Sequence, residues 1–303
     1  MQVTAVEEAL RADPDDLASW DAYSDWLLEQ GDTRGTLIRL ERRLARTRPA
    51  DRPAVEREIA DLVEKHEGGW DDGLPATAVV LDRRYGFATD VSVPWSAGVR
   101  EVVEQVLSSR FVTTLRFGAD NRASTDYEWD GEDDDEWEGG PPDEASSEGL
   151  DLRLFDGLDT GRLVGLDLSY LHVGPDGAEL LAGSLRADRL RVLELRYCRL
   201  GDAGLAALAS SPYLSGVRSL HLQRNRVTAE GVRSLHRFSE LTELDLRYNN
   251  IGEAGAETLL DAPFVGSLTR LWLYDSDVGE GGVRKLANAE NLPSGLRSLW
   301  RCM

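Results

Sequence analysis

Cysteine, lysine and methionine are nearly missing from this chain, with two of each in 303 residues. Two thiols, Cys198 and Cys302, cannot build a disulfide framework, so a reducing compartment, the cytoplasm, is the expected home. No apolar stretch approaches the ~18 residues of a membrane-spanning helix, so no membrane partner is expected. The start, Met1-Gln2-Val3-Thr4-Ala5-Val6-Glu7-Glu8, lacks a basic region ahead of an apolar run, so no secretory signal is expected. A basic stripe is missing as well. The formal net charge is −21, and a chain this acidic repels phosphate backbones, which argues against a nucleic-acid partner.

The acid is concentrated. Residues 120–149 carry 13 acidic side chains and one basic one, net −12, whereas residues 1–119 are net −7 and residues 150–303 net −2. The run Asp126-Tyr-Glu-Trp-Asp-Gly-Glu-Asp-Asp-Asp-Glu-Trp137 has little apolar surface to bury, so 119–149 reads as an acidic disordered insert. Part of it mimics a calcium loop, with Asp126, Glu128, Asp130, Gly131, Glu132 and Asp134 at loop positions 1, 3, 5, 6, 7 and 9. Trp137 stands where the bidentate Glu belongs, so no metal is assigned there. Tyr127, Trp129 and Trp137 are apolar anchors in an acidic string. They are candidate auxiliary docking residues, toward a groove on this protein or on another.

What the chain has in abundance is self-similarity. Leu163-Val-Gly-Leu166-Asp-Leu168 returns as Leu190-Arg-Val-Leu193-Glu-Leu195 and Val217-Arg-Ser-Leu220-His-Leu222. It returns again as Leu241-Thr-Glu-Leu244-Asp-Leu246, Leu268-Thr-Arg-Leu271-Trp-Leu273 and a truncated Leu296-Arg-Ser-Leu299. The ninth position holds Leu171, Cys198, Asn225, Asn249 and Ser276, where a polar side chain can bond neighbouring backbone. Alternating apolar residues aim one side of a short strand inward. The glycine-spaced second halves, such as Gly201-Asp-Ala-Gly204-Leu205-Ala-Ala-Leu208, read as helices with one buried stripe. One such unit cannot bury its apolar face alone, but a stack can.

The pattern L-x-x-L-x-L-x-x-N/C-x-L resembles the leucine-rich repeat, and its glycine-spaced helices resemble the ribonuclease-inhibitor-like class. The resemblance implies an α/β solenoid over 150–303, with a curved parallel sheet inside and helices outside. Val112-Thr-Thr-Leu115-Arg-Phe117 matches the repeat strand, so 71–118 reads as a strand-helix-strand cap and first rung. Between Val112 and Leu163 about one repeat's worth of chain is extra.

Residues 1–70 read as a helical domain. Val6, Leu10, Leu17, Trp20, Tyr23, Trp26, Leu27 and Leu28 supply an apolar set, Leu37, Ile38, Leu40 and Leu44 a second, and Ile59, Leu62 and Val63 a third. Asp13-Pro14-Asp15-Asp16 reads as a turn and helix start. That turn, with Asp25-Trp26-Leu27-Leu28-Glu-Gln-Gly31-Asp32-Thr-Arg34-Gly35 and Ile38-Arg39-Leu40, resembles the repeat-companion domain found ahead of leucine-rich repeats in some bacteria. Tyr85-Gly86-Phe87 through Val93 is similar to the strand that such proteins place before their first repeat. The motif departs at Ser24, where that family usually has Ala. The resemblance implies no biochemical activity, so Trp26, Gly31, Asp32 and Gly35 read as packing and turn positions.

Positions between the leucines form columns across the strands. The fifth-position column reads Asp167, Glu194, His221, Asp245, Trp272, Trp300; the seventh reads Ser169, Arg196, Gln223, Arg247, Tyr274; the eighth reads Tyr170, Tyr197, Arg224, Tyr248, Asp275. Trp, Tyr and Arg are the residue types enriched in binding hot spots. The candidate partner-binding set is Tyr170, Arg196, Tyr197, Arg224, Arg247, Tyr248, Trp272, Tyr274 and Trp300. These positions point to a non-catalytic module that binds a protein or peptide on its concave face, as adaptor, regulator or inhibitor, with no cofactor. The alternative is a metal-dependent or acid–base hydrolase at Glu194, His221 and Asp245, two carboxylates flanking one imidazole. Ser219 is near this cluster in sequence but belongs to a different column, and Cys198 at the ninth position should point inward.

Overall fold

A computed structural model describes residues 3–71, 73–96, 98–118 and 151–301. The insert with its candidate docking residues Tyr127, Trp129 and Trp137, and the second thiol, Cys302, lie outside the described residues. The chain forms two units, residues 1–92 with 101–113, and residues 93–100 with 114–303.

In the first unit the Asp-Pro turn separates α1 (Val3–Ala12) from α2 (Leu17–Glu29), and Asp16 caps α2 by accepting from the Ala18 N–H at 3.0 Å. The chain then folds back through Gly31, at φ +74°, into α3 (Arg34–Arg46), and α4 (Arg52–Trp70) follows. Gly35 is what lets α3 approach α2. A Cβ there would lie 2.7 Å from the Ser24 carbonyl oxygen and 2.8 Å from Leu28 Cγ. The Ser24 hydroxyl donates to the Gly35 carbonyl at 3.1 Å across the same contact, which gives this serine a partner at a buried position. Strands β1 (Val79–Arg84) and β2 (Phe87–Pro94) pair antiparallel around Tyr85-Gly86, both with positive φ, as a tight two-residue hairpin demands.

The core of this unit is aromatic. Leu10, Trp20, Tyr23, Leu27, Ile38, Phe87 and Phe111 pack together, with the Trp20 and Phe111 rings 5.3 Å apart and Phe87 and Phe111 4.9 Å apart. The buried Tyr23 hydroxyl donates to Glu7 at 2.8 Å and accepts from Arg110 at 2.8 Å, so its polar end is satisfied. The apolar set read from the sequence is overdrawn at one position. Leu17, the first residue of α2, is 50% exposed, because the N-terminal turn of that helix leaves its first side chain outside the stripe.

In the second unit, β3 (Thr114–Gly118) is followed in register by β4 (Gly165–Asp167), β5 (Val192–Glu194), β6 (Ser219–His221), β7 (Glu243–Asp245) and β8 (Arg270–Trp272). All five pairings are parallel, and Leu115, Leu166, Leu193, Leu220, Leu244 and Leu271 stand opposite one another. These leucines and the second set, Leu168, Leu195, Leu222, Leu246 and Leu273, are buried. Past α5 (Val99–Ser108), helices α6 (Gly174–Ser184), α7 (Gly201–Ser210), α8 (Ala229–Ser234) and α9 (Gly252–Leu260) link β4 through β8, and α10 (Asp275–Asn288) follows β8, giving an α/β repeat. Gly201, at φ +60°, typifies the turn into these helices. The repeat from Val217 has Thr228 in its place, which caps α8 through the Glu230 N–H at 3.3 Å. It is also the shortest repeat, and α8 the shortest of these helices. Among the described residues, no helix is long and apolar enough to cross a membrane.

The sixth, truncated repeat is not a strand. Residues Ser294–Trp300 form helix α11, with Leu296 and Trp300 buried. Pro293 fixes the entry to that helix, and Gly295 and Ser298 replace the β-branched residues that a strand would favour.

Candidate functional site

The sheet face opposite the buried leucines carries the three columns read from the sequence. Strand register aligns Arg116, Asp167, Glu194, His221, Asp245 and Trp272 directly. Arg116 is an addition supplied by β3, and its guanidinium lies 3.6 Å from Asp167. Trp300 is a subtraction. It sits in α11 at 4% exposure, so it packs the core and offers no binding surface.

Tyrosines and arginines line one edge of this face. The Tyr170 and Tyr197 rings stack 4.8 Å apart at 12°, and the Arg224 guanidinium lies 5.6 Å from the Tyr197 centroid. Tyr248 and Tyr274 meet edge to face at 5.0 Å with hydroxyls 3.3 Å apart, and Arg247 stands 5.9 Å from the Tyr274 ring. Tyr170, Tyr197, Arg224 and Tyr248 share a backbone state as well, with φ of 67°, 58°, 51° and 60°. A non-glycine residue in that left-handed region costs about 1–2 kcal/mol. Each follows its strand by three residues and turns the chain toward the next helix. Neither Gly nor Asn marks these positions, so the sequence carried no signal for them.

Two of the arginines, Arg196 and Arg247, are tethered rather than loose. Arg196 reaches Glu194 at 2.5 Å, and Arg247 clasps Asp245 with Nη2 at 2.7 Å and Nε at 3.1 Å. Gln223 also donates to Asp245 at 2.6 Å. The hydrogen bonds to Asp245 hold Arg247 charged above its already high range. Fixed side chains lose less rotamer entropy on binding, so the tethering preorganises the face.

The cluster at Glu194, His221 and Asp245 comes together, but with spacings that suit a charge ladder. His221 Nε2 is 4.0 Å from Glu194 and Nδ1 is 3.8 Å from Asp245, so the carboxylates address opposite ring nitrogens and share no common centre for one ion. Among the described residues, no group of three or more His, Cys, Asp or Glu side chains is arranged to hold a metal. Ser219 is closer than its column suggested, because residues two apart on a strand share a face. Its Oγ lies 3.2 Å from His221 Nε2. The same hydroxyl donates to Glu243 at 3.0 Å, so its proton is committed away from the imidazole. Asp245 is already occupied by Arg247 and Gln223, and His221 Nδ1 has no hydrogen-bond partner. The trio lacks the aligned proton path that a serine nucleophile requires.

Beneath the face runs a polar ladder. Asn249 accepts from the Asn225 and Val227 N–H groups at 3.0 and 2.9 Å and donates to the Leu222 and Leu246 carbonyls at 2.8 and 3.0 Å. Asn225 does the same one rung earlier, accepting from Leu200 N–H at 3.2 Å and donating to Leu195 at 2.6 Å. Cys198 points inward as expected. Its thiol donates to the Leu168 carbonyl at 3.2 Å, and burial, then the Asp167 charge, pushes it far above the usual thiol range.

In the last rung Ser276 is bypassed, and Asp277, one residue later, takes the acceptor role. It accepts from the Tyr274 N–H at 2.8 Å and from the backbone of Tyr248 and Asn249. Burial pushes Asp277 up to about 6 against those hydrogen bonds, and the charge of Asp245 adds to the rise. His236 is structural, with Nε2 2.8 Å from the Thr258 carbonyl oxygen.

None of the curated proteins compared with the chain matches it. The family described as Leucine Rich repeat matches residues 190–209, 217–235 and 240–260. Residues 190–260 thus hold three leucine-rich repeats, a type of unit that generally mediates protein binding and is typically non-catalytic.

Proposed function

We propose that this protein is a non-catalytic binding module, a leucine-rich-repeat solenoid of the ribonuclease-inhibitor-like type. Its concave face takes a protein or peptide, and it acts as adaptor, regulator or inhibitor of that partner. The observation that carries this reading is the aromatic and arginine edge formed by Tyr170, Tyr197 and Arg224 and continued by Tyr248, Arg247 and Tyr274. Trp272 and Arg196 extend it. Six strands at about 4.8 Å spacing span roughly 24 Å, room for a peptide, a helix or one edge of a domain. A standard interface of about 800 Å² per partner is attainable there.

The helical 1–70 segment is, in this reading, a bacterial repeat-companion domain ahead of the 71–118 cap. Its turn residues support that assignment, since Gly31 and Gly35 serve a tight reversal and a close helix approach. The two-cysteine composition supports a cytoplasmic setting.

The test is affinity capture from the native host, comparing the wild type with a folded Tyr197→Ala/Tyr248→Ala/Trp272→Ala variant. A partner retained by the first and lost by the second locates binding on this face. Identical captures would remove the face from consideration. Each hot-spot truncation should cost at least about 2 kcal/mol of affinity.

A further inference from the structure

The first unit carries an arginine-lined recess on α3, beside ion pairs that tie this helix to α2 and α4. On α3, Arg39, Arg42, Arg43 and Arg46 follow one another at helical spacing. With Asp21 and Thr47 they line an open surface recess of about 400 Å³. That volume is within the range of small-molecule sites, roughly 300–1,000 Å³. Four arginines line it, with Asp21 as the one acidic member of the lining, in a chain whose formal charge is −21.

The arginines are held unequally. Arg42 has a side chain only 10% exposed, fixed by two bonds to Asp21, Nε–Oδ1 at 2.5 Å and Nη2–Oδ2 at 2.9 Å. Arg39 meets Asp25 at 2.6 Å and Arg43 meets Glu58 at 2.5 Å. Asp25 and Glu58 are 67% and 53% exposed, so an incoming anion can displace them into water while Asp21 keeps Arg42 in place. Arg46 pairs with no carboxylate among the described residues. Exposed pairs such as Arg39–Asp25 and Arg43–Glu58 contribute only about 0–1 kcal/mol each, so exchanging them costs little.

We propose that this recess binds a compact small molecule bearing two or more phosphates, with Arg42 as its buried anchor and Arg39, Arg43 and Arg46 as its rim. Guanidinium forks match phosphate oxygens in bidentate geometry. A compact polyanion places its charge inside the recess. An extended acidic peptide would instead lay its flanking carboxylates against Asp21, Asp25 and Glu58 at the rim. The recess lies within the first unit.

Calorimetric titration of the full chain with inorganic tripolyphosphate at low salt tests this. Binding should be submillimolar and should weaken as salt is added. Arg46→Ala should weaken it about 5-fold or more, and Arg43→Ala/Arg46→Ala about 50-fold, in line with charge-assisted hydrogen bonds. Arg48→Ala, which removes a nearby charge outside the recess, should change it less than about 2-fold. Circular dichroism checks that each variant is folded, and the exposed Arg46 provides a substitution that the core does not feel. The proposal is overturned by no heat of binding at about 1 mM ligand, by equal affinity in the double variant, or by tighter binding of a decaglutamate peptide.

Discussion

Replacing Asp277 by Asn should change how the stability of this protein depends on pH. Asp277 is 5% exposed and is held by backbone N–H groups from two rungs. Burial raises its carboxyl to about 6 in the folded chain. In the unfolded chain the same group titrates near 3.9. Between those values the native state binds more protons than the unfolded one, so stability falls as pH rises through the window. That is the reverse of the usual ion-paired carboxylate. A shift of roughly 2 pH units is worth about 3 kcal/mol, fully present below pH ~4 and lost above pH ~6. Asn keeps the acceptor oxygen and removes the titration, and it is the residue that the preceding two rungs use for this job. Urea unfolding of both proteins at several pH values between about 4 and 7, followed by tryptophan fluorescence, isolates the effect. Other titrating groups are common to the two chains and cancel in the difference. The wild type should lose about 2–3 kcal/mol relative to Asp277→Asn across the window. A constant difference, or a wild type that gains with pH, would refute the assignment of a buried, raised carboxyl at this position.

Asn249→Ala should cost about 3 kcal/mol or more in denaturant unfolding, since it orphans two buried N–H donors and the carbonyls that Asn249 serves. Trp300→Ala should lower stability by about 3–5 kcal/mol, yet leave partner affinity of the folded protein unchanged, because the ring is core and not surface. Cys198 should resist alkylation by iodoacetamide in the native protein at mildly alkaline pH and react on unfolding, as mass spectrometry of the labelled peptide would report. Gly35→Ala should destabilise the first unit by at least about 1–3 kcal/mol in thermal unfolding, because the new methyl meets the Ser24 carbonyl.

Much of the repeat was legible because leucine spacing and strand register are the same information. Positions four and six are buried in every rung, so a period of two fixed which side chains face outward, and the columns followed. The reading failed at Leu296-Arg-Ser-Leu299, where helix α11 buries Leu296 and Trp300, four residues apart, and leaves Leu299 exposed. Pro293 and Gly295 were the signals that should have decided it. Distances within columns were beyond the sequence. Nothing in the residue order says that Ser219 spends its proton on Glu243, or that Arg247 embraces Asp245, since side-chain reach is decided by rotamers. The transfer of the ladder from Ser276 to Asp277 was hidden for another reason. A shift of one residue in the first turn of α10 leaves the hydrophobic pattern untouched.

One pairing separates the architecture from its connections. Thr114 stands opposite Gly165 although the two are 51 positions apart, in the same parallel register that joins rungs 24 or 27 positions apart elsewhere. The rungs recognise each other through leucine packing and backbone bonds, and the length of chain between them enters only through closure entropy. Doubling that length costs about 0.6 kcal/mol, less than one good buried contact. The joint between β3 and β4 is therefore a permissive graft point. Exchanging residues 119–150 for a foreign sequence of different length should preserve the register on both sides, so this site can carry a tag, a reporter or a second domain.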